Sequence, residues 1–562
     1  MKQLIECVPN FSEGRNMDVI NQIIAAINSV EGVKLLNVDP GKATNRTVVT
    51  FVGEPDVVVE AAFRAIKLAG EIIDMSSHTG AHPRMGATDV CPLIPVSNIS
   101  MEETVEYAHK LAKRVGDELK LPVYLYEDAQ KDKTRSNLSV IRAGEYEGFA
   151  EKMNLAVWKP DFGPASFDIK RGATVIGARD FLVAYNINLN TTSVRRANSI
   201  AFDVREAGRV KREGNSITGK IVKDENGNPV SIPGTLKSVK AIGWFIEEYG
   251  IAQISMNLTN INITPVHIAF DEVCRKADAR GIRVTGSELV GLIPLKAMTD
   301  AGKYFLKKQQ RSVGVSEREL VRIAIKSMGL DEISKFDPDE KIIEYLLEDK
   351  EESKLIKKSL SDFSEETASE SPAPGGGSIS AYVGTLGISL AVMVANLSAH
   401  KKGWDERWEE FSELAEKGEE LRIKLLKCVD EDTIAFNRIM SALNLPKSTE
   451  EEKYLRQNAI DDATIFAIEV PFKVMNLAFE SMGIIKTIAM NGNPNSVSDA
   501  GVGALCARTS IFGAFMNVRI NATGMSENIK VSDILKEGKQ ICEKVNKIEK
   551  EIIEIVNTKI GN

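Results

Sequence analysis

The chain has 562 residues, 43% of them hydrophobic and 27% charged, an ordinary composition for folded domains but too long for one hydrophobic core, so several domains are expected. With 71 Lys and Arg against 79 Asp and Glu, the net charge of −8 argues against nucleic acid or an anionic membrane as the main partner. Six scattered cysteines without a CxxC pair exclude a disulfide framework and a cysteine zinc site, and suit a reducing cytoplasm.

In chain order, residues 4–8 form an apolar run too short for a signal peptide. Residues 17–27 repeat apolar side chains every 3.6 positions, and strands are expected at 33–38 and 47–52 around a turn-rich 39–45. A helix at 55–73, a Gly/Pro-shaped loop, a strand at 90–96, a helix at 101–119 and a strand at 123–126 follow. This alternation implies an open α/β sandwich with helices on one face of a mixed sheet.

A second unit of similar size follows. It comprises a strand-like run at 174–189, a helix at 194–211, a hairpin of 239–245 and 252–258, a helix at 265–279, a strand at 282–292 and a helix at 295–306. The polar segment 213–236 reads as an exposed β-hairpin excursion. The charge run at 347–354 reads as a linker. Beyond it, amphipathic segments at 355–367, 378–398, 404–443, 449–481, 499–521 and 531–558 form an all-α bundle. The apolar stretch 378–397 is dotted with Gly, Ser and Ala and reads as a buried bundle helix.

The most informative segment is His78-Thr-Gly-Ala-His82-Pro-Arg-Met-Gly86. Its His-x-x-x-His spacing suits a shared metal only on a helix, which Gly80 and Pro83 break, and no further ligand follows at metal spacing. Two readings stay open: a structural loop with one hydrogen-bonded histidine, or proton transfer by His82 with Arg84 placing an anion. Asp39 could orient an imidazole, and Arg46 or Lys42 could bind a carboxylate, because loops at strand ends gather ligands. The 161–172 segment, with two aromatics and Lys170-Arg171, could cradle a flat heterocycle with an acidic tail or simply link two domains. In the helical part, the Gly-rich run before Ser378 opens a helix whose amides attract anions. Asp430 and Asp432 are two apart on a helix, so at most one faces the interior. A buried carboxylate there would have a raised pKa and could shuttle a proton.

Cys7-Val-Pro-Asn-Phe-Ser-Glu-Gly14, His82-Pro-Arg-Met-Gly-Ala87, Asp161-Phe-Gly-Pro and Ala-Pro-Gly-Gly-Gly-Ser378 together resemble the bifunctional formimidoyltransferase–cyclodeaminase family, folate enzymes of histidine breakdown. The resemblance runs nearly the full length. It implies two ferredoxin-like α/β transferase subdomains at 1–180 and 181–346, a linker at 347–354 and a helical cyclodeaminase at 355–562. Carried over, His82 matches the transferase's catalytic histidine and Asp432 the cyclodeaminase's catalytic aspartate. Gly163, Pro164, Ala165, Ser166, Phe167, Asp168, Ile169, Lys170, Arg171 and Gly172 match the transferase's folate-binding loop, and Asp39, Arg46 and Arg84 are substrate-binding candidates. The implied substrates are N-formimino-L-glutamate and tetrahydrofolate, the latter polyglutamylated, with no metal and no redox cofactor. The implied setting is a cytoplasmic homo-oligomer such as an octamer, without nucleic-acid or membrane partners. There are two departures. The 213–236 excursion is longer than in the animal enzymes, and the helical part also resembles stand-alone methenyltetrahydrofolate cyclohydrolases, which leaves a cyclohydrolase-type domain as the alternative.

Overall fold

A computed structural model describes residues 3–42, 44–80, 83–214, 219–347, 355–525 and 528–561. The chain is α/β in its N-terminal part and helical in its C-terminal part. It divides into two compact units: Met1–Ala297 with Met328–Glu348, and Met298–Ser327 with Asp349–Asn562. Most of the expected linker, from 348 to 354, lies outside the described residues.

The first unit begins with a seven-stranded mixed sheet of β1 (Leu4–Cys7), β2 (Asn10–Phe11), β3 (Lys34–Gly41), β4 (Arg46–Gly53), β5 (Thr88–Ser97), β6 (Val123–Glu127) and β7 (Thr174–Ala178). β1 and β2 lie antiparallel between β4 and β5, β3 flanks β4, and β7 and β6 extend the sheet parallel to β5. Alternate side chains point to opposite faces. Ile5, Cys7, Phe51, Cys91 and Leu93 therefore meet α1 (Met17–Asn28), α2 (Pro55–Ile72) and α3 (Met101–Glu118) in a closed core. Each fully buried Ile or Phe there is worth about 2 kcal/mol. Pro55 opens α2, and a Ser100–Glu103 capping box opens α3. On the opposite face, α4 (Leu138–Ile141) and α5 (Glu145–Lys152) cover the β6–β7 edge through Ile141 and Phe149. The rest of that face carries Glu6, Asn10, Arg46 and Thr50 and borders a cleft.

The run at 174–189 splits into two strands that join different sheets. β7 ends at Ala178, and β8 (Val183–Leu189) starts the next sheet after the polar Arg179-Asp180 break. α6 (Val194–Val204) stops well short of residue 211, because Gly208 takes a φ of 63° and the chain turns into β9 (Arg209–Val210), paired with β10 (Ser231–Ile232). This is the stem of the expected excursion, whose residues 215–218 lie outside the described residues. β11 (Val239–Ile246) and β12 (Ile251–Leu258) form the expected hairpin. α7 (Val266–Asp278) and β13 (Val284–Val290) complete a four-stranded antiparallel sheet of order β11-β12-β8-β13. α6 and α7 pack on one of its faces.

α8 (Leu295–Lys308) and α9 (Glu317–Met328) follow, the latter not among the expected helices; α10 (Pro338–Lys341) and α11 (Ile343–Leu347) return to the first unit. The second unit contains α12 (Leu360–Ala368), α13 (Gly376–Ala399), α14 (Trp408–Leu443), α15 (Glu450–Asn491), α16 (Val497–Asn521) and α17 (Ile529–Ile560). α13 is long and apolar enough to cross a membrane, and 61% of its apolar window is buried. It packs against α14, α15 and α16, which explains why its polarity varies so little around its circumference. A Cβ on Gly387 would lie 2.9 Å from the Gly503 carbonyl, so the small residues of α13 admit α16 at close range.

Candidate functional site

The open faces of the two sheets border a cleft of about 1010 Å³ within the first unit. Strand alternation lines it with Glu6 from β1, Val8 just after it, Asp39 from β3, Arg46 and Thr50 from β4, and Pro92 from β5. Lys240 and Asn257 face it from the second sheet. Pro83, which directly follows His82, also lines it. His82 itself lies outside the described residues.

One end of the cleft is rich in guanidinium groups. Arg142, in the loop after α4, pairs with Asp89, whose other oxygen accepts the Met85 amide at 3.0 Å. Asp89 is 1% exposed, and burial raises its carboxyl above the usual range although Arg142 and Arg46 pull it down. Burial, reinforced by the nearby Arg142 charge, likewise lowers the proton affinity of Arg46, against the pull of Asp89 and Asp39. Two guanidinium groups, Arg142 and Arg46, thus stand with Asp89 and Asp39 at this end, the kind of side chain that pairs with an incoming carboxylate.

Arg84 has a different setting. It is 8% exposed and does not line the cleft. Its guanidinium donates to Glu147 at 2.6 Å and Glu145 at 3.2 Å, and its Nε donates to His78 Nδ1 at 3.2 Å. Arginine has no acceptor, so His78 Nδ1 must be the bare nitrogen and Nε2 carries the proton, which points at the Asn45 carbonyl 3.0 Å away. His78 is thus held between Arg84 and the Asn45 carbonyl in a structural role.

The 163–172 loop also lies outside the cleft lining. Arg171 is held by Asp168 and the Leu119 carbonyl, Lys170 donates to the Glu71 carbonyl at 2.8 Å, and Phe167 packs on Tyr146 with centroids 5.2 Å apart. Its backbone grips both flanks of the histidine segment: the Met75 amide donates to the Lys170 carbonyl at 2.9 Å and the Ala87 amide to the Arg171 carbonyl at 2.8 Å. Gly172 takes a φ of 71°, and a Cβ there would sit 2.2 Å from the Met85 carbonyl. The close approach requires glycine.

In the second unit, Asp432 of α14 reaches the N-terminus of α13. One carboxylate oxygen accepts the Ser378 amide at 2.8 Å and its hydroxyl at 3.0 Å. A Cβ on Gly377 would lie 2.0 Å from the other oxygen. Burial raises the Asp432 carboxyl, with the Ser378 hydrogen bonds opposing it. Asp430 points elsewhere and accepts the Leu355 amide at 2.9 Å. Among the described residues, no three His, Cys, Asp or Glu side chains converge as a metal site.

A family model for the formiminotransferase domain, N-terminal subdomain, matches residues 4–179, one for the formiminotransferase domain matches 184–348, and one for formiminotransferase-cyclodeaminase matches 359–540. The chain is 42% identical over 547 residues to the formimidoyltransferase-cyclodeaminase of Mus musculus, covering 96% of this chain and 97% of that one. It belongs to the formimidoyltransferase-cyclodeaminase family. Shorter relatives match its parts. Glutamate formimidoyltransferase of Thermoplasma acidophilum is 43% identical over 324 residues, 57% of this chain and 98% of its own. Methenyltetrahydrofolate cyclohydrolase of Methylorubrum extorquens is 34% identical over 202 residues, 36% of this chain and 97% of its own.

For this family member, sequence reasoning singled out Asp39 and Arg46, which do line the cleft, but not Glu6, Asp89 or Arg142. Glu6 left one signal, a lone acid inside the apolar run Leu4-Ile-Glu-Cys-Val8. It is 4% exposed, and burial lifts its carboxyl from an ordinary 4.5 to about 7, with Arg179 opposing and Glu344 adding to the rise. Arg142 left no signal, because it is brought to Asp89 across 53 positions of chain.

Proposed function

We propose that the chain transfers the formimino group of N-formimino-L-glutamate to tetrahydrofolate, and that its helical part then releases ammonia to give 5,10-methenyltetrahydrofolate. The observation that carries this is the ordered match of both transferase domains and the cyclodeaminase domain in one chain. The β-α-β-β-α-β order of β8, α6, β11, β12, α7 and β13 supports a ferredoxin-like reading of the second subdomain. In the first, β1 with the short β2 that continues it, then α1, β3, β4, α2 and β5, follow the same order.

In the transfer step, N5 of tetrahydrofolate attacks the formimino carbon and loses its proton. The carbon–nitrogen bond to glutamate then breaks as that nitrogen gains one. His82 serves both transfers, a role typically worth about 10²–10⁴ in rate. Arg46, Arg142 and Asp39 form the end of the cleft that holds the amino-acid substrate. The 163–172 loop serves the folate site by fixing the segment on both sides of His82, and Arg84, clamped to Glu145 and Glu147, braces the same segment.

In the second step, N10 attacks the same carbon and ammonia leaves once protonated. Asp432, whose carboxyl burial raises above its ordinary value against the Ser378 hydrogen bonds, supplies that proton. The match to a methenyltetrahydrofolate cyclohydrolase favours a second reading, in which the helical part hydrolyses the methenyl product. Incubation with N-formimino-L-glutamate and tetrahydrofolate, following ammonia and the methenyl chromophore together, decides between them. Stoichiometric ammonia with lasting chromophore supports the cyclodeaminase, whereas a mixture that yields neither ammonia nor chromophore, together with decay of separately added 5,10-methenyltetrahydrofolate, supports the cyclohydrolase. Absence of any transfer refutes both.

A further inference from the structure

Glu6 is anomalous. It sits in the middle of a sheet, opposite Val52 on β4 and Ile94 on β5. It lines the cleft yet is only 4% exposed. Its carboxylate makes no hydrogen bond or ion pair with any described residue; Arg179 and Glu344 act on it only through their fields. A carboxylate so placed costs free energy unless donors reach it. The structural alternative, a buried anion kept for stability, lacks the partner it would need.

The register says what kind of donor is missing. Arg46 lies six residues along β4 from Val52, the partner of Glu6, so the two are about 20 Å apart along the strand at about 3.4 Å per residue. The acidic substrate belongs at the guanidinium end. The heterocycle that attacks it must therefore lie toward Glu6, with the reacting atoms between. Val8 and Pro92, joined by a 3.2 Å backbone hydrogen bond and both lining the cleft, give the Glu6 end an apolar surface for a flat ring. A reduced pterin presents two adjacent donors, a ring N–H and an exocyclic amino group, along the edge of its pyrimidine half. The two oxygens of one carboxylate match that edge as they match a guanidinium.

We propose that Glu6 binds the pyrimidine edge of tetrahydrofolate through paired hydrogen bonds and so selects the pterin for the transferase reaction. This rests on the transferase reading above. The two are separated by measuring binding as well as turnover in the full-length protein.

The test compares wild type with Glu6→Gln and Glu6→Asp, using tetrahydrofolate and its 2-desamino analogue. Glu6→Gln, which keeps the shape but offers only one acceptor, raises KM and Kd for tetrahydrofolate by about 10- to 100-fold, the range expected for a charge-assisted pair. KM for N-formimino-glutamate stays within about 3-fold, and Glu6→Asp falls between. Wild type prefers tetrahydrofolate over the 2-desamino analogue, and Glu6→Gln loses most of that preference. Unchanged KM and Kd for tetrahydrofolate in Glu6→Gln, or an equal rise for both substrates, overturns the proposal. If the variants do not fold, equal binding of the two folates by wild type overturns it alone, and a clear preference supports it. If wild type binds tetrahydrofolate but transfers nothing, the transferase reading fails while the Kd comparison still decides the role of Glu6.

Discussion

Replacing Glu6 by glutamine should stabilise the first unit in alkaline solution and change little in acid. The folded chain keeps a proton on Glu6 up to about pH 7, whereas an exposed carboxyl releases it near 4.5. Between those values the native state binds more protons than the unfolded one, so stability falls as pH rises through the window. The difference corresponds to roughly 3 kcal/mol once Glu6 is fully ionised, at about 1.4 kcal/mol per tenfold change in proton affinity. Glutamine fills the same space without titrating and escapes this cost. Native-state hydrogen exchange of the β1 and β4 amides, corrected for intrinsic rates, reports the opening free energy of this sheet. Variant minus wild type should be near zero at pH 4.5 and approach about 3 kcal/mol at pH 8. A difference that does not vary with pH would refute the reasoning. So would a loss of stability in the variant at pH 8.

Other outcomes follow from the two sites. Asp432→Asn should abolish ammonia release while formimino transfer stays within about 3-fold, because no proton donor replaces the buried carboxyl; loss of both activities would mean a structural role. Gly377→Ala places a Cβ 2.0 Å from the Asp432 carboxylate, so it should cost roughly 1–3 kcal/mol in the helical unit and silence ammonia release. Denaturant titration with paired activity assays checks both effects. Arg142→Met leaves Asp89, 1% exposed, without its ion partner. It should destabilise the first unit by roughly 3–5 kcal/mol, and adding Asp89→Asn should recover much of that loss in a double-mutant cycle. Arg46→Met should raise KM for N-formimino-glutamate by about 10-fold or more and leave KM for tetrahydrofolate nearly unchanged.

Much of the architecture was legible one residue at a time. Helix starts at 101 and 450 have local causes, since Ser100 with Glu103 and Thr449 with Glu452 close capping boxes over three positions, whereas α15 runs to Asn491, past its expected end at 481. The hairpin at 239–258 and the six long helical segments of the C-terminal part were also visible, since period and turn chemistry are local signals. The break at Arg179-Asp180 was not. Its flanks share one strand-like pattern, and only packing assigns them to different sheets. α9 was likewise missed, although Ser316 accepts the Glu319 amide at its start and Gly329 takes a φ of 59° at its end.

The site divides along the same line. Motif and period carried the α/β-then-helical order and the histidine loop and named Asp39 and Arg46 as candidates, because each depends on spacing within a few residues; spacing left Asp430 and Asp432 undivided, and the family resemblance alone chose Asp432. Only tertiary structure decided that Arg84 is bound to Glu145 and Glu147 rather than open to the cleft, that the 163–172 loop braces the segment carrying His82, and that Asp89 faces Arg142. It also decided that Glu6 lies against the cleft with no hydrogen-bond or ion-pair partner among the described residues. Charge pairing and desolvation are set by distance through space, and residues 53 to 63 positions apart carry no mark of that in their order along the chain.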